Sequence, residues 1–251
     1  MREIIAVVNR RGGVGKTATA HAVGAGLSLK GYKTLFVDLD SQCNLTFDVG
    51  GRPAPLTSME VLSGTATALE AIQHTQGGDI IPASPSLAVA DTAIDGTGKE
   101  YRLREALEPL KKKYDYIIID TPPALGVLTV NALTACDSAI IPAQAEVHSL
   151  QGIGLLYEAI RAVQKYTNPA LTIKGILVTR YNGRAILSRD MKSNLEATAK
   201  ELGTKVFDTP IRECTAVKEA QATQSDIYSY SPRSNATADY TALIEDILKA
   251  R

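Results

Sequence analysis

Glycines at positions 12, 13 and 15 lead directly into Lys16 and Thr17. Closely spaced glycines let successive backbone N–H groups turn inward, which makes a cradle for phosphate oxygens. A lysine at its end can reach β- and γ-phosphates, and a threonine hydroxyl beside it can ligate the Mg²⁺ that bridges them. Gly12, Gly13, Val14, Gly15, Lys16, Thr17 and Ala18 are therefore the candidate nucleotide-binding residues. The usual form of such a loop is G-x-x-x-x-G-K-[ST], and here Arg10 stands at the first glycine position. A Gly-rich turn that binds nothing is the plain alternative. The apolar run before the loop and the helical pattern opening at Lys16 supply the strand–loop–helix context a phosphate site requires.

Two further segments carry carboxylates at the ends of apolar runs: Val37-Asp38-Leu39-Asp40 and Ile119-Asp120-Thr121-Pro122-Pro123. Ligands of open parallel sheets bind at the carboxyl ends of the strands. Residues two apart on a strand share a face, so Asp38 and Asp40 are expected on one side. Asp120 suits a Mg²⁺-holding role, directly or through water. Nucleoside triphosphate hydrolysis needs one carboxylate on the metal and another on the attacking water. Any one of these aspartates alone could equally be a strand-end turn or a helix cap.

The elements that must position these groups are legible as alternating runs. Strands are expected at Ile4–Val8, Lys33–Val37, Asp79–Ile81, Tyr116–Ile119, Ser138–Ile141, Leu171–Val178 and Lys205–Phe207. Several are apolar at every position, the pattern of strands buried on both faces. Helices are expected at Lys16–Lys30, Lys99–Lys112, Leu150–Gln164, Ser188–Leu202 and Asn235–Lys249, the first closed by Gly31. In the last, Tyr240, Leu243, Ile244, Ile247 and Leu248 make one apolar stripe. The clearest loop is Gly50-Gly51-Arg52-Pro53-Ala54-Pro55. The order implies one α/β domain over residues 1–251, a doubly wound, mostly parallel sheet with helices on both faces.

Composition narrows the function classes. The 251 residues are 45% hydrophobic and 22% charged, which excludes disorder as the main state. Lysine plus arginine equals aspartate plus glutamate at 27 each, so any nucleic-acid contact needs a local patch. Cys43, Cys136 and Cys214 lie far apart without metal-type spacing and are expected as buried free thiols. His21, His74 and His148 show no metal spacing either and are expected in packing or surface roles. No apolar run reaches the length of a membrane span, and the N-terminus is too short and acidic for a signal peptide; a cytoplasmic protein is expected.

Three segments together resemble the sequence signatures of the ParA/Soj-type partition ATPases, of deviant Walker A type: Arg11 to Thr17, Asp38-Leu39-Asp40-Ser41-Gln42-Cys43-Asn44, and Asp120-Thr121-Pro122-Pro123. Leu128–Leu133, Ile141–Glu146, Gly175–Tyr181, Pro232-Arg233-Ser234 and Asp239-Tyr240 extend the resemblance over nearly the whole chain. It implies a P-loop ATPase with ATP and Mg²⁺ as ligands, a homodimer when ATP is bound, and non-specific double-stranded DNA binding. It also implies a ParB-type centromere-binding partner that stimulates hydrolysis, and association with the nucleoid in the ATP state. By matched position, Lys16 and Thr17 contact phosphate and Mg²⁺, Asp40 orients or activates the attacking water, and Asp38 and Asp120 support the Mg²⁺ shell. The catalytic set is then Asp40, Lys16 and Arg11. Arg11 stands where the family carries a signature lysine that reaches the partner's nucleotide; arginine keeps the charge but is longer and planar. Ser41 and Cys43 stand where proline and glycine are common. The chain begins at the first strand, as in short members without an N-terminal helix-turn-helix domain, so operator binding is not expected.

The family places DNA-contacting cations near a strand end that here carries Arg180, Arg184, Arg189 and Lys192, with Arg184 the best match and Lys218 and Arg233 as extensions. A solvated charged face is the plain alternative, and without interleaved aromatics only phosphate contact is suggested. Lys111-Lys112-Lys113 is expected to meet a helix dipole. Other readings of the same fold are a MinD-like membrane-cycling ATPase, an iron–sulfur carrier, and a nucleotide-binding regulatory module with little turnover. The first needs a basic amphipathic C-terminal helix, whereas Glu245 and Asp246 accompany only Lys249 and Arg251. The second needs paired cysteines, which are missing. The third is kept open by Arg11.

Overall fold

The computed structural model describes residues 2–249, except for the side chains of residues 147, 148, 150 and 151. His148 therefore carries no description beyond its helical backbone, and Arg251 lies outside the described residues. Seven strands form one sheet in the order β3-β4-β2-β5-β1-β6-β7. They are β1 (Glu3–Val7), β2 (Thr34–Asp38), β3 (Gln73–Thr75), β4 (Gly78–Ile81), β5 (Tyr116–Asp120), β6 (Ser138–Gln144) and β7 (Thr172–Thr179). All neighbours pair in parallel except the β3–β4 edge hairpin.

The all-apolar strands divide by residue parity. Ile4, Ala6, Leu35, Val37, Ile117 and Ile119 face one core. Ile5, Val7, Phe36, Tyr116 and Ile118 face the other. The first core is covered by α3 (Ser58–Ser63), α5 (Arg102–Leu107), α6 (Val127–Ala135), α7 (Val147–Tyr166) and α8 (Ile186–Glu201). The second is covered by α1 (Lys16–Leu29), α2 (Asn44–Asp48), α9 (Thr215–Ala222), α10 (Ile227–Tyr230) and α11 (Asn235–Lys249). A short α4 (Ala90–Ala93) joins the first layer. Burial on both faces is why these strands carry no polar alternation.

Helix α1, which must sit close under the phosphate loop, is packed with little clearance. A Cβ on Gly24 would come within 2.1 Å of Phe36 Cε1, and one on Gly26 within 2.0 Å of Ile244 Cδ1. The stripe expected on α11 is the surface that packs here: Tyr240, Leu243, Ile244 and Ile247 are buried. Tyr228 fills the same layer, donating from its hydroxyl to the Ala22 carbonyl at 3.0 Å.

The structure differs from the sequence pattern in several elements: α2, α3, α4, α6, α9 and α10 are helices the pattern does not predict. The expected helix at 99–112 is broken into 3₁₀ turns on either side of α5, and Pro109, which has no N–H to continue the helix, stands at the start of the second. Lys205–Phe207 makes only the single parallel bridge Val206–Ile176. The chain then turns away at Asp208-Thr209-Pro210, so no eighth strand forms. Strand β3 was not expected, since Gln-His-Thr has no apolar signal; it is held by its hairpin to β4. Lys111 pairs with Glu108 at 2.5 Å within the broken segment.

Candidate functional site

Strands β2, β5 and β1 lie side by side and in parallel, so their carboxyl ends deliver the three signature segments to one edge of the sheet. Asp38 and Asp120 are register partners at those ends. The loop after β1 is pinned from behind by side chains of other elements. The Asn9 amide donates to the Pro142 carbonyl at 2.6 Å, and Asn9 Oδ1 accepts from Arg11 N at 2.9 Å. The Gln144 amide donates to the Gly13 carbonyl at 2.9 Å, and the Thr179 hydroxyl to the Val14 carbonyl at 2.8 Å. With these carbonyls tied back, the N–H side of the loop is left to face the opposite way.

Gly15 occupies the N-cap of α1 at φ +87°, a left-handed conformation that disfavours any side chain. No side chain caps this helix and its first turn carries no acid. A Cβ on Gly12 or Gly13 would meet nothing within 4 Å, so the loop opens onto free space. That space is a cavity of about 350 Å³, within the range of small-molecule sites. Gly12, Gly13, Gly15, Lys16, Thr17 and Ala18 line it, whereas the Val14 side chain is buried in the protein.

Lys16 is buried, and its Nζ donates to the Arg11 carbonyl at 3.1 Å. Burial lowers its pKa, while the charges of Asp120 and Asp40 oppose that. Thr17 Oγ1 donates to Asp120 Oδ2 at 2.6 Å, which turns the hydroxyl's lone pairs away from the carboxylate and leaves them available to a cation. Asp120 has no solvent exposure, and burial followed by the neighbouring Asp38 raises its pKa well above the usual carboxylate range.

Asp38 and Asp40 do not share a strand face as expected. Strand β2 ends at Asp38, and Asp40 lies in the turn beyond it. Asp38 Oδ1 accepts from Asp40 N at 3.0 Å, while Oδ2 accepts from Thr46 N and Thr46 Oγ1, both at 2.8 Å. Burial raises its pKa against these bonds. Both oxygens are thus committed to the loop that carries Asp40. Asp38, expected to support the Mg²⁺ shell, is fully buried behind the cavity wall and does not line the cavity. Asp40 lines the cavity and accepts from Gln42 N through one oxygen at 3.0 Å. Among the described residues no group of three or more His, Cys, Asp or Glu side chains could hold a metal by itself. Thr17 lines the cavity, with Asp120 behind it.

Cys43 explains why glycine suits its position: it sits at φ +55°, immediately before α2. Its thiol pKa is pushed up to about 11 by burial and then by Asp38 and Asp40. Of the thiols expected to be buried, only Cys136 is; Cys43 and Cys214 are half-buried, and Cys214 lines the cavity. His21 is buried against the edge of Phe36, and His74 pairs with Asp79 at 2.6 Å on the surface.

Arg11 does not line the cavity. Its Nη2 meets Glu146 Oε2 at 2.6 Å. The basic candidates separate into groups. Arg180, held at φ +48°, and Lys218 line the cavity mouth. Arg184, Arg189 and Lys192 lie on the exposed loop and first turns of α8, with Arg189 donating to the Gly183 carbonyl at 3.0 Å. Lys192 reaches Glu196 at 3.6 Å. Arg233 is exposed in the turn before α11, which packs on the opposite face of the sheet from α8. Sequence reasoning missed the roles of Asn9, Gln144, Thr179, Thr46 and Glu146. It also missed Arg212, whose guanidinium bonds Asp239 at 2.6 Å at the far end of the cavity, near Ile211, Val217 and Tyr240. Gln144, Glu146 and Thr179 fall in segments that carry the family resemblance, which was their only signal.

Comparison with known proteins places this geometry among relatives. Residues 2–173 match the family model of the AAA domain. The chain is 39% identical over 252 residues to the sporulation initiation inhibitor protein Soj of Bacillus subtilis, covering 98% of each. It is 35% identical to the chromosome partitioning protein ParA of Caulobacter vibrioides, covering 98% of this chain and 93% of that one. The crystal structure of cobyrinic acid a,c-diamide synthase from Mycobacterium smegmatis with bound ADP and magnesium superposes with a TM-score of 0.87 at 35% identity, over 99% of this chain and 95% of that one.

Proposed function

The chain belongs to the ParA/Soj family of AAA-type P-loop ATPases, and on that premise we propose that it is a DNA-partition ATPase, a single domain over residues 1–251. The observation that carries the reading is the convergence on one cavity of an uncapped helix N-terminus, Lys16, Asp40 and the Thr17–Asp120 bond. ATP with Mg²⁺ fits this arrangement. The loop amides and Lys16 receive phosphate oxygens, Thr17 ligates the cation, and Asp120 orients Thr17. Mg²⁺ held there would supply charge neutralisation on the triphosphate. The apolar end formed by Ile211, Val217 and Tyr240 takes the nucleobase.

Asp40 holds the attacking water. One of its oxygens is fixed by Gln42 N, and the Asp38 anchor prevents the turn from drifting. Lys16 leaves the Arg11 carbonyl for phosphate when nucleotide arrives. Arg11 completes the site across a homodimer by contacting transferring phosphoryl oxygens, in the manner of arginines supplied in trans. The dimer presents Arg184, Arg189 and Lys192 twice, which converts a weak phosphate-contact surface into one that holds double-stranded DNA. Arg180 and Lys218, at the cavity mouth, join this surface to the nucleotide state. A ParB-type partner ends the cycle by stimulating hydrolysis, and the ATP form resides on the nucleoid.

Burial of the α11 stripe against α1 opposes the membrane-cycling reading, since that face is not available to lipid. No helix among the described residues is long and apolar enough to cross a membrane.

A mobility-shift titration at several salt concentrations tests the reading. Binding is expected with ATP, absent with ADP, indifferent to sequence, and steeply weakened by salt. Arg184→Glu is expected to weaken DNA binding and leave ATP binding intact. Tight binding by the ADP form, or preference for one DNA sequence, would overturn it. ATP hydrolysis that neither DNA nor partner changes would favour a regulatory module.

A further inference from the structure

Arg11 is held at both ends by its own subunit. Its carbonyl accepts from Lys16 Nζ at 3.1 Å, and its guanidinium meets Glu146 at 2.6 Å. Glu146 lies in the turn between β6 and α7, just after Gln144, whose amide ties the Gly13 carbonyl. The parked pose is incomplete. Arg11 Nη1 is buried without a hydrogen-bond partner among the described residues, and the Glu146 contact is the ion pair they give the head group. With side chains 35% and 49% exposed, the pair is partly hydrated and exchangeable.

We infer that Glu146 is a positioning residue: it latches Arg11 against its own subunit in the nucleotide-free state, and nucleotide binding releases the latch. The coupling runs through Lys16. Phosphate draws its ammonium from the Arg11 carbonyl, which frees the backbone of the loop at Arg11 and leaves the single exposed ion pair to hold the arginine. That pair is weak enough to yield to a phosphate group offered by a second subunit, where bidentate contact replaces it. The carboxylate thus disfavours pairing of empty subunits without blocking pairing of loaded ones. This rests on the proposal that Arg11 acts in trans.

The magnitude follows from the exposure. A half-exposed pair shifts an equilibrium by about five-fold at most. Each of two subunits releases one arginine, so removing the latch lowers the dimer dissociation constant by up to about 25-fold.

Two measurements on the full chain test it. The first is the side-chain ¹⁵N resonance of Arg11, assigned with Arg11→Lys. In the nucleotide-free protein Glu146→Gln is expected to move it toward that of a free guanidinium, and Mg·ATP added to an Asp40→Ala protein is expected to move it as well. The second is sedimentation of Asp40→Ala with Mg·ATP. Adding Glu146→Gln is expected to lower the dimer midpoint several-fold, an effect lost when Arg11→Ala is also present. If Glu146→Gln leaves the Arg11 resonance in place, or Mg·ATP does not shift it, the latch is wrong. If it lowers the midpoint equally in the Arg11→Ala protein, Glu146 acts on assembly by another route and the latch is again wrong. If every variant stays monomeric while both resonance shifts occur, the latch stands and the dimeric reading of the function fails.

Discussion

Thr17 and Asp120 are joined by a 2.6 Å hydrogen bond that spans 103 residues of chain and ties the first turn of α1 to the end of β5. The acceptor is fully buried beside Asp38, so ionised Asp120 repels that neighbour and is disfavoured by desolvation. Asp120→Asn keeps an acceptor oxygen but removes the charge. It is expected to weaken Mg²⁺-dependent nucleotide affinity by about 10–100-fold. Calorimetric titration with and without Mg²⁺ checks this; equal affinity of the variant and the native protein would remove Asp120 from the cation site.

Lys16 and Asp40 are expected to separate binding from turnover. Lys16→Ala removes the charged phosphate contact and is expected to abolish ATP binding. Asp40→Ala leaves the loop amides and Lys16 in place, so binding is retained and hydrolysis stops. Fluorescent-nucleotide binding alongside a phosphate-release assay distinguishes the two, and native turnover by Asp40→Ala would contradict the assignment.

Asp48, outside the cavity lining, predicts a pH dependence of stability. It is buried, its Oδ2 accepts from the Gln221 amide at 2.8 Å, and burial pushes its pKa up to about 6. A carboxyl whose folded pKa lies above its unfolded value of 3.8 contributes stability that is fully present below 3.8 and lost as pH rises through about 6. Asp48→Asn should therefore stabilise the fold above pH 6, by an amount on the order of 3 kcal/mol, and do little at low pH. Urea denaturation at pH 4 and pH 8 measures the difference; an identical effect at both would show that ionisation is not its source. His21, lowered to about 4 by burial, acts in the other direction: its contribution is complete above its unfolded value of 6.5 and lost as pH falls toward 4.

Gly24 tests the packing that sets α1 beneath the loop. The 2.1 Å approach of a new Cβ to Phe36 Cε1 requires either the ring or the helix to move. Gly24→Ala is expected to destabilise by about 1–3 kcal/mol despite alanine's better helix propensity. Phe36→Leu in the same chain should recover part of the loss. Additive losses in the double variant would place the strain elsewhere.

Much of this protein is written locally. The phosphate loop, α1 and the carboxyl-ending strands follow from short-range causes: glycine's access to left-handed angles, apolar runs buried on both faces, and the 3.6-residue stripe that buries α11. Such signals sit within a few residues of one another, so the sequence alone identified the α/β class and most of the loop residues that line the cavity. It could not divide the labour among the aspartates. Asp38 and Asp40 are neighbours in the chain. Only the return of Thr46 onto Asp38 Oδ2, with Asp40 N on Oδ1, makes one an anchor and leaves the other in the cavity. Likewise, Arg11 meets Glu146 because β6 lies beside β1, and Lys218 reaches the cavity because α9 packs under its far end. Those partners are separated by long stretches of chain, and a side chain's role then depends on which strand ends the fold sets next to each other. That is a property of the packed sheet, which local angles and periodicity do not encode.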